Sequence, residues 1–222
     1  DSLQRLSLNR VDALIIHDLG PDFHDPETLE QHWRDLAGSG WKALEELRSA
    51  GRVKAIGAGI NLPGLMPRFL ETLDLDLFLV AMPYTLLDQD VLDEEFPLCQ
   101  ERDVRVIIGA VFASGLLIHG AVEGARYAYQ AAPEEKIRQT RAIQEICEHH
   151  GVPLPAAAIQ FPLAHPVVSS VIPGAMDPAH IEQTQANSAH RIPSGFWEDL
   201  RAGGLLHPKA PIPGQGNEIA PR

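Results

Sequence analysis

Gly40-Trp-Lys-Ala-Leu-Glu-Glu-Leu-Arg-Ser-Ala-Gly51, running on through Arg-Val53-Lys-Ala-Ile-Gly57-Ala-Gly59-Ile60 to Asn61, carries the decision about the fold. Trp41, Leu44, Leu47 and, less strictly, Ala50 recur at helical spacing, and Gly51 is a natural C-terminal stop. Val53 to Ile60 is then a short apolar run bounded by turn residues, the mark of a strand buried on both faces. A helix that feeds directly into a buried strand predicts an α/β chain.

The same alternation continues outward. Upstream, the chain opens on a polar, helix-like stretch, and Val11 to Ile16 reads as a strand closed by His17-Asp18 and a polar loop with Gly20, Pro21 and Pro26. Downstream, the pattern predicts a helix over 65–73, a strand over 76–82, a helix over 91–102 and a strand over 104–110. A long loop through Ser114-Gly115 leads to helices over 134–150 and 155–164, a strand over 167–172, and a helix from about 178 to 189. Strict alternation argues for a parallel sheet covered by helices. An open doubly wound sheet and a closed barrel both satisfy it. The dinucleotide fingerprint G-x-G-x-x-G is absent, because Gly57-Ala-Gly59-Ile-Asn-Leu lacks the third glycine and does not sit at a first strand-helix turn. That favours the barrel. The Pro- and Gly-rich residues from Gly203 onward predict an extended C-terminal arm.

Composition removes several function classes. The net charge of -12 comes with no Lys/Arg-rich run, so nucleic acid is not an expected partner. No stretch approaches the roughly 20 apolar residues that span a bilayer. Cys99 and Cys147 match no metal or redox spacing and read as reduced thiols in a cytoplasmic setting. No H-x-H or H-E-x-x-H pattern occurs, which argues against a metal hydrolase. His149-His150 close a helix and read as solvated; His24, His32, His119, His165, His180, His190 and His207 show no ligand spacing.

In barrel enzymes the chemistry sits at the C-terminal ends of the strands. His17, Asn61, Tyr84, Ser114-Gly115 and Pro173-Gly174 follow the apolar runs and would converge on one mouth. His17 leaves a buried strand and can polarise a carbonyl or pass a proton; the plainer alternative is a histidine that hydrogen-bonds its own loop. Ser114-Gly115-Leu116 and Pro173-Gly174 offer small residues and backbone N–H groups where barrels commonly hold phosphate. Phe23, Trp33, Tyr127 and Tyr129 lie in the two long loops, 19–40 and 112–132, and suit stacking on a ring or sugar face, although aromatics that merely pack their loops explain them equally well.

Four ordered motifs carry a family resemblance. Leu3-Gln-Arg-Leu6 through Val11-Asp12 to His17, Ala43-Leu through Gly51-Arg-Val-Lys54-Ala-Ile-Gly57, Ser114-Gly115-Leu116-Leu117, and Val171-Ile172-Pro173-Gly174 with Ile181-Glu182-Gln183 resemble the aldo-keto reductases. Pro83-Tyr84-Thr-Leu-Leu-Asp88-Gln89 and Trp197 to Leu205 resemble its aldose and pyridoxal dehydrogenase branch in particular. The resemblance implies a (β/α)8 TIM barrel of which residues 1–202 supply the end of the third helix and strands four to eight, with 203–222 as the arm.

It also implies an NAD(P)-dependent oxidoreductase that moves hydride between an alcohol or sugar hemiacetal and a carbonyl or lactone, with a small carbonyl, sugar or pyridoxal-like substrate. His17 would be the catalytic histidine, and Tyr84 and Phe23 substrate contacts. Asn61, Ser114, Gly115, Leu116, Pro173, Gly174, Met176, Gln183 and Thr184 would hold the cofactor. Met176 stands where many members place a basic residue against the 2′-phosphate, which leans the expectation toward NAD over NADP. The family's aromatic stack on nicotinamide falls near Gly109, leaving Phe112 as a substitute. The family's catalytic Tyr, Lys and Asp belong to earlier strand-helix units, so the chain by itself is expected to be inactive, with exposed sheet edges. The alternative is a relative that holds nucleotide without chemistry.

Overall fold

Five strands pair edge to edge in the order in which they occur along the chain, all of them parallel. The computed structural model describes residues 2–214. The strands are β1 (Ala13–Ile16), β2 (Ala55–Ile60), β3 (Leu77–Ala81), β4 (Arg105–Gly109) and, after a small hairpin of β5 (Arg126–Tyr127) and β6 (Gln130–Ala131), β7 (Val168–Ile172). A doubly wound sheet reverses its strand order at a switch point. No reversal occurs here, as in a barrel wall.

The helices are α1 (Ser2–Leu6), α2 (Pro26–Asp35), α3 (Trp41–Ser49), α4 (Met66–Thr72), α5 (Glu95–Glu101), α6 (Leu116–His119), α7 (Glu134–His150), α8 (Leu154–Leu163), α9 (Pro178–Ser188) and α10 (Ser194–Ala202). Register shows how they cover the sheet. Ala58 pairs with Phe78 and Phe78 with Val106, while Ile60 pairs with Val80 and Val80 with Ile108, so these side chains share one face, and all are buried. Phe69, Phe96 and Phe161 of the helices join them in the core. Each such buried side chain contributes about 1.5–3 kcal/mol. The opposite face carries Ile15, Leu79 and Ile107, which are only half-buried.

Local sequence explains the element ends. Asp25 caps α2 by accepting from the backbone N–H groups of Glu27 and Thr28, each at 3.1 Å, with Pro26 in the first turn. The expected polar loop over 19–40 therefore contains a ten-residue helix. Gly51 and Gly151 end α3 and α7 in left-handed geometry (φ 66° and 64°). The three alanines of α8, Ala156 to Ala158, are all fully buried.

The arm is not loose over the residues described. Leu206, Ala210 and Ile212 are buried, His207 N–H donates to Gln89 Oε1 at 2.7 Å, and Arg201 donates to the Ala210 carbonyl at 2.6 Å. The rest of the expected arm, 215–222, lies outside the described residues. Among the described residues, no helix is long and apolar enough to cross a membrane.

Candidate functional site

Parallel pairing puts the ends of β1, β2, β3, β4 and β7 on one rim of the sheet. A cavity of about 530 Å³ opens there, lined by Asn61, Leu62 and Pro63 after β2, Ala81 at the end of β3 with Met82, Pro83, Asp88 and Asp90 beyond it, Asp22 and Phe23 from the β1 loop, and Tyr127 to Gln130 from the hairpin. Asn61 and Phe23 thus line the same cavity. Glu95 steadies the β2 exit from below: its buried carboxylate accepts from Met66 N–H at 3.1 Å, at the start of α4. Burial pushes that carboxyl above its usual range, against the lowering effect of the backbone N–H groups of Gly64 and Met66.

The hairpin roofs the cavity and is fastened at two points. Tyr127 Oη donates to Asp88 Oδ1 at 2.5 Å, and Lys136 Nζ of α7 donates to the same oxygen at 2.9 Å. The ammonium also stands 5.4 Å from the centre of the Tyr127 ring. Burial and the neighbouring Asp88 carboxylate push the Tyr127 phenol well above its ordinary pKa. The second fastening is Ser114, whose Oγ accepts from Tyr129 N–H at 3.2 Å. Composition of the loop alone offers no route to the Asp88–Tyr127–Lys136 cluster, because its members lie on three separate elements.

Tyr84 does not reach this cavity. It is fully buried, with ring centroids 4.8 Å from Phe96 and 5.2 Å from Phe161, so it packs beneath the helices and cannot touch a substrate at the rim. Met82 turns the chain with φ 82°, and Tyr84 ends up on the helix side of the sheet. Its hydroxyl has no hydrogen-bond partner, and burial drives its pKa strongly upward. Trp33 is likewise core, 4.6 Å from the Phe69 ring and beneath Arg68. Phe112 is buried too, at 9% exposure, and is not presented for stacking.

His17 follows β1 directly, with 78% of its side chain exposed and Nδ1 3.1 Å from Asp18 Oδ2. It stands beside the bare backbone of Gly59, where a Cβ would lie 3.5 Å from the imidazole Cδ2. Ser114 and Gly115 both adopt positive φ (57° and 93°) after β4, and the buried Leu116 can offer only its backbone. Pro173 and Gly174 follow β7 on the same rim, and a Cβ at Gly174 would meet nothing within 4 Å. Met176 is 92% exposed, and Gln183 and Thr184 lie on α9, whose first turn is capped by Asp177. The segments after β4 and β7 make a ledge beside the cavity, half-buried at Ser114 and Gly115 and joined to the cavity roof through the Ser114–Tyr129 hydrogen bond.

Comparison with known proteins shows the family to which the chain belongs. The sequence profile of the aldo/keto reductase family matches residues 1–202. Pyridoxal 4-dehydrogenase of Microbacterium luteolum is 41% identical over 207 residues, covering 93% of this chain and 60% of its own length. D-threo-aldose 1-dehydrogenase of a Pseudomonas species is 40% identical over 208 residues, again covering 93% of this chain and 60% of its own. The chain therefore spans three fifths of the length of these curated relatives. The holo form of aldo-keto reductase AKR11C1 from Bacillus halodurans superposes with a TM-score of 0.68 at 25% identity, over 97% of this chain and 67% of that one.

Proposed function

Because the chain belongs to the aldo/keto reductase family, we propose that it serves NAD(P)-dependent hydride transfer between an alcohol or sugar hemiacetal and the corresponding carbonyl or lactone. The observation that carries this reading is the shared rim: the exits of five parallel strands present His17, a ring-lined cavity at Asn61 and Phe23, and the ledge of Ser114-Gly115 and Pro173-Gly174 side by side. The cavity is of a size for a small sugar or a pyridoxal-like ring, and its aromatic roof suits stacking on either. In this reading His17 orients the substrate oxygen. The backbone at Gly115, Leu116 and Gly174 and the side chains of Asn61, Gln183 and Thr184 hold the nucleotide, which would supply or accept the hydride.

The finer part of the proposal is that the five strands are the fourth to eighth of a (β/α)8 barrel. On that reading the family's Tyr, Lys and Asp are not among residues 1–222. The chain then binds nucleotide without turning substrate over.

The experiment uses the chain as it stands. NADH and NADPH are titrated by fluorescence, and turnover is assayed with pyridoxal and an aldose. Binding with no turnover is the expected result. Met176→Arg tests the ledge: a guanidinium there should improve NADPH binding relative to NADH by about tenfold, the worth of one charge-assisted contact. Failure of either nucleotide to bind, or a Met176→Arg variant with unchanged preference, would overturn the assignment of this ledge; steady turnover by the chain would overturn the partial-barrel reading alone.

A further inference from the structure

Away from the rim, two imidazoles and a carboxylate meet at the other end of α7. His149 and His150 are the last residues of that helix, and Asp199 lies on α10. His150 Nε2 is 2.6 Å from Asp199 Oδ2. The two histidine rings stand edge to face with centroids 4.9 Å apart. One ligand atom from each of the three residues lies within 4.8 Å of the others. Lys136, which fastens the hairpin, is on the same helix thirteen residues earlier, roughly 20 Å along its axis. The cluster is therefore distinct from the cavity and the ledge.

We propose that His149, His150 and Asp199 bind one divalent transition-metal ion of the zinc class, with water completing its shell, and that the ion clasps α10 onto α7. Two imidazole nitrogens and one carboxylate oxygen suit zinc, cobalt or nickel, whereas calcium and magnesium take oxygen ligands. A tetrahedral ion holds such ligands about 2.0–2.2 Å away, hence roughly 3.4 Å from each other. From a limit of 4.8 Å the widest separation must close by up to about 1.4 Å, and the His150–Asp199 pair must open from 2.6 Å by about 0.8 Å.

The side chains differ in their ability to make that adjustment. His149 and Asp199 are exposed, and His149 can swing on the last helical turn. His150 is held, with its ring 5.9 Å from Phe196 and only 17% of its side chain exposed. It is thus the fixed ligand around which the others close. The carbonyl end of α7 adds a partial negative charge that favours a cation. As the ion takes its place between them, His150 offers the Nε2 lone pair with its ring proton on Nδ1, and Asp199 offers Oδ2.

The test is a zinc titration of the chelator-treated chain by calorimetry, paired with thermal unfolding and the visible spectrum of the cobalt form. One ion per chain and a raised Tm are expected. His149→Ala, at an exposed position, should leave the metal-free Tm unchanged and weaken zinc by at least roughly tenfold. Asp199→Asn should weaken it similarly. The competing surface pair His24 and His32, whose rings are 4.8 Å apart, provides the control. Absence of binding, or binding that survives His149→Ala and falls with His32→Ala, would overturn the proposal.

Discussion

Tyr127 hands its phenolic proton to a 2.5 Å hydrogen bond with Asp88, and so ties the β5–β6 hairpin to the loop after β3. Lys136 balances the charge of the same carboxylate. The bond crosses the cavity wall, so the size of the opening depends on it.

Tyr127→Phe should keep the ring and lose the tether. A hydrogen bond to a charged group contributes about 1.5–3 kcal/mol, discounted here to about 1 because the pair is partly exposed. The larger effect should be local: faster amide exchange over 125–132 with little change in α7. Equal exchange in the two proteins would show that Ser114 alone holds the hairpin.

Tyr84→Phe should be neutral or stabilising by up to about 1 kcal/mol, since the hydroxyl it removes is buried without a partner. Chemical denaturation reads this directly. A loss of more than about 1 kcal/mol would mean that the hydroxyl has a partner in solution.

His165 should make the fold acid-sensitive. It is buried against Tyr84 and Phe96, and burial lowers its pKa from 6.5 to about 4. The unfolded chain takes up this proton first as pH falls. The contribution is therefore complete above pH 6.5, declines between there and about 4, and amounts to at most about 3 kcal/mol. His165→Asn keeps an acceptor for the Val167 N–H, which donates to Nδ1 at 3.2 Å. Urea midpoints at pH 7.5 and 5 should differ more for the native chain than for the variant; parallel pH profiles would refute the assignment.

Two glycines of β2 should respond differently to alanine. At Gly57 the added Cβ would lie 2.6 Å from the Leu77 carbonyl oxygen, so Gly57→Ala should cost about 1–3 kcal/mol. At Gly59 the nearest atoms are 3.5 Å away, on His17 and Ile15, so Gly59→Ala should fold with near-native stability. Comparable losses in Tm for both would mean that this face of the strand tolerates filling at neither position.

The strands were legible because each is a short apolar run between turn residues, but such runs do not alternate, so the side on which Ala58, Phe78 and Val106 are buried was not readable from them. The bounds of α7, from Glu134 to His150, were also readable from the proline before it and the glycine after it. α2 had a readable signature in Asp25-Pro26-Glu27, masked by the glycines and prolines around it. The hairpin had none. Its turn places Ala128 and Tyr129 at φ 48° and 65°, a geometry usually announced by Asn-Gly. Of the candidate site, the strand exits were predictable from sequence, while the direction of Tyr84 depended on the backbone twist at Met82. Asp199, the neighbour of His150, is 49 residues downstream, beyond the reach of any local pattern.

Strand order also bears on how the protein is assembled during synthesis. A sheet whose members join in the sequence of their translation never has to hold a slot open for a later arrival. Each newly emerged segment finds its template already laid down, and the ribosome can release structure from the N-terminal side onward. The exception is the addition of β7 to β4, Val168 against Val106, which waits for the hairpin and three helices to be made. Closing that longest span should be the slowest event on the folding route.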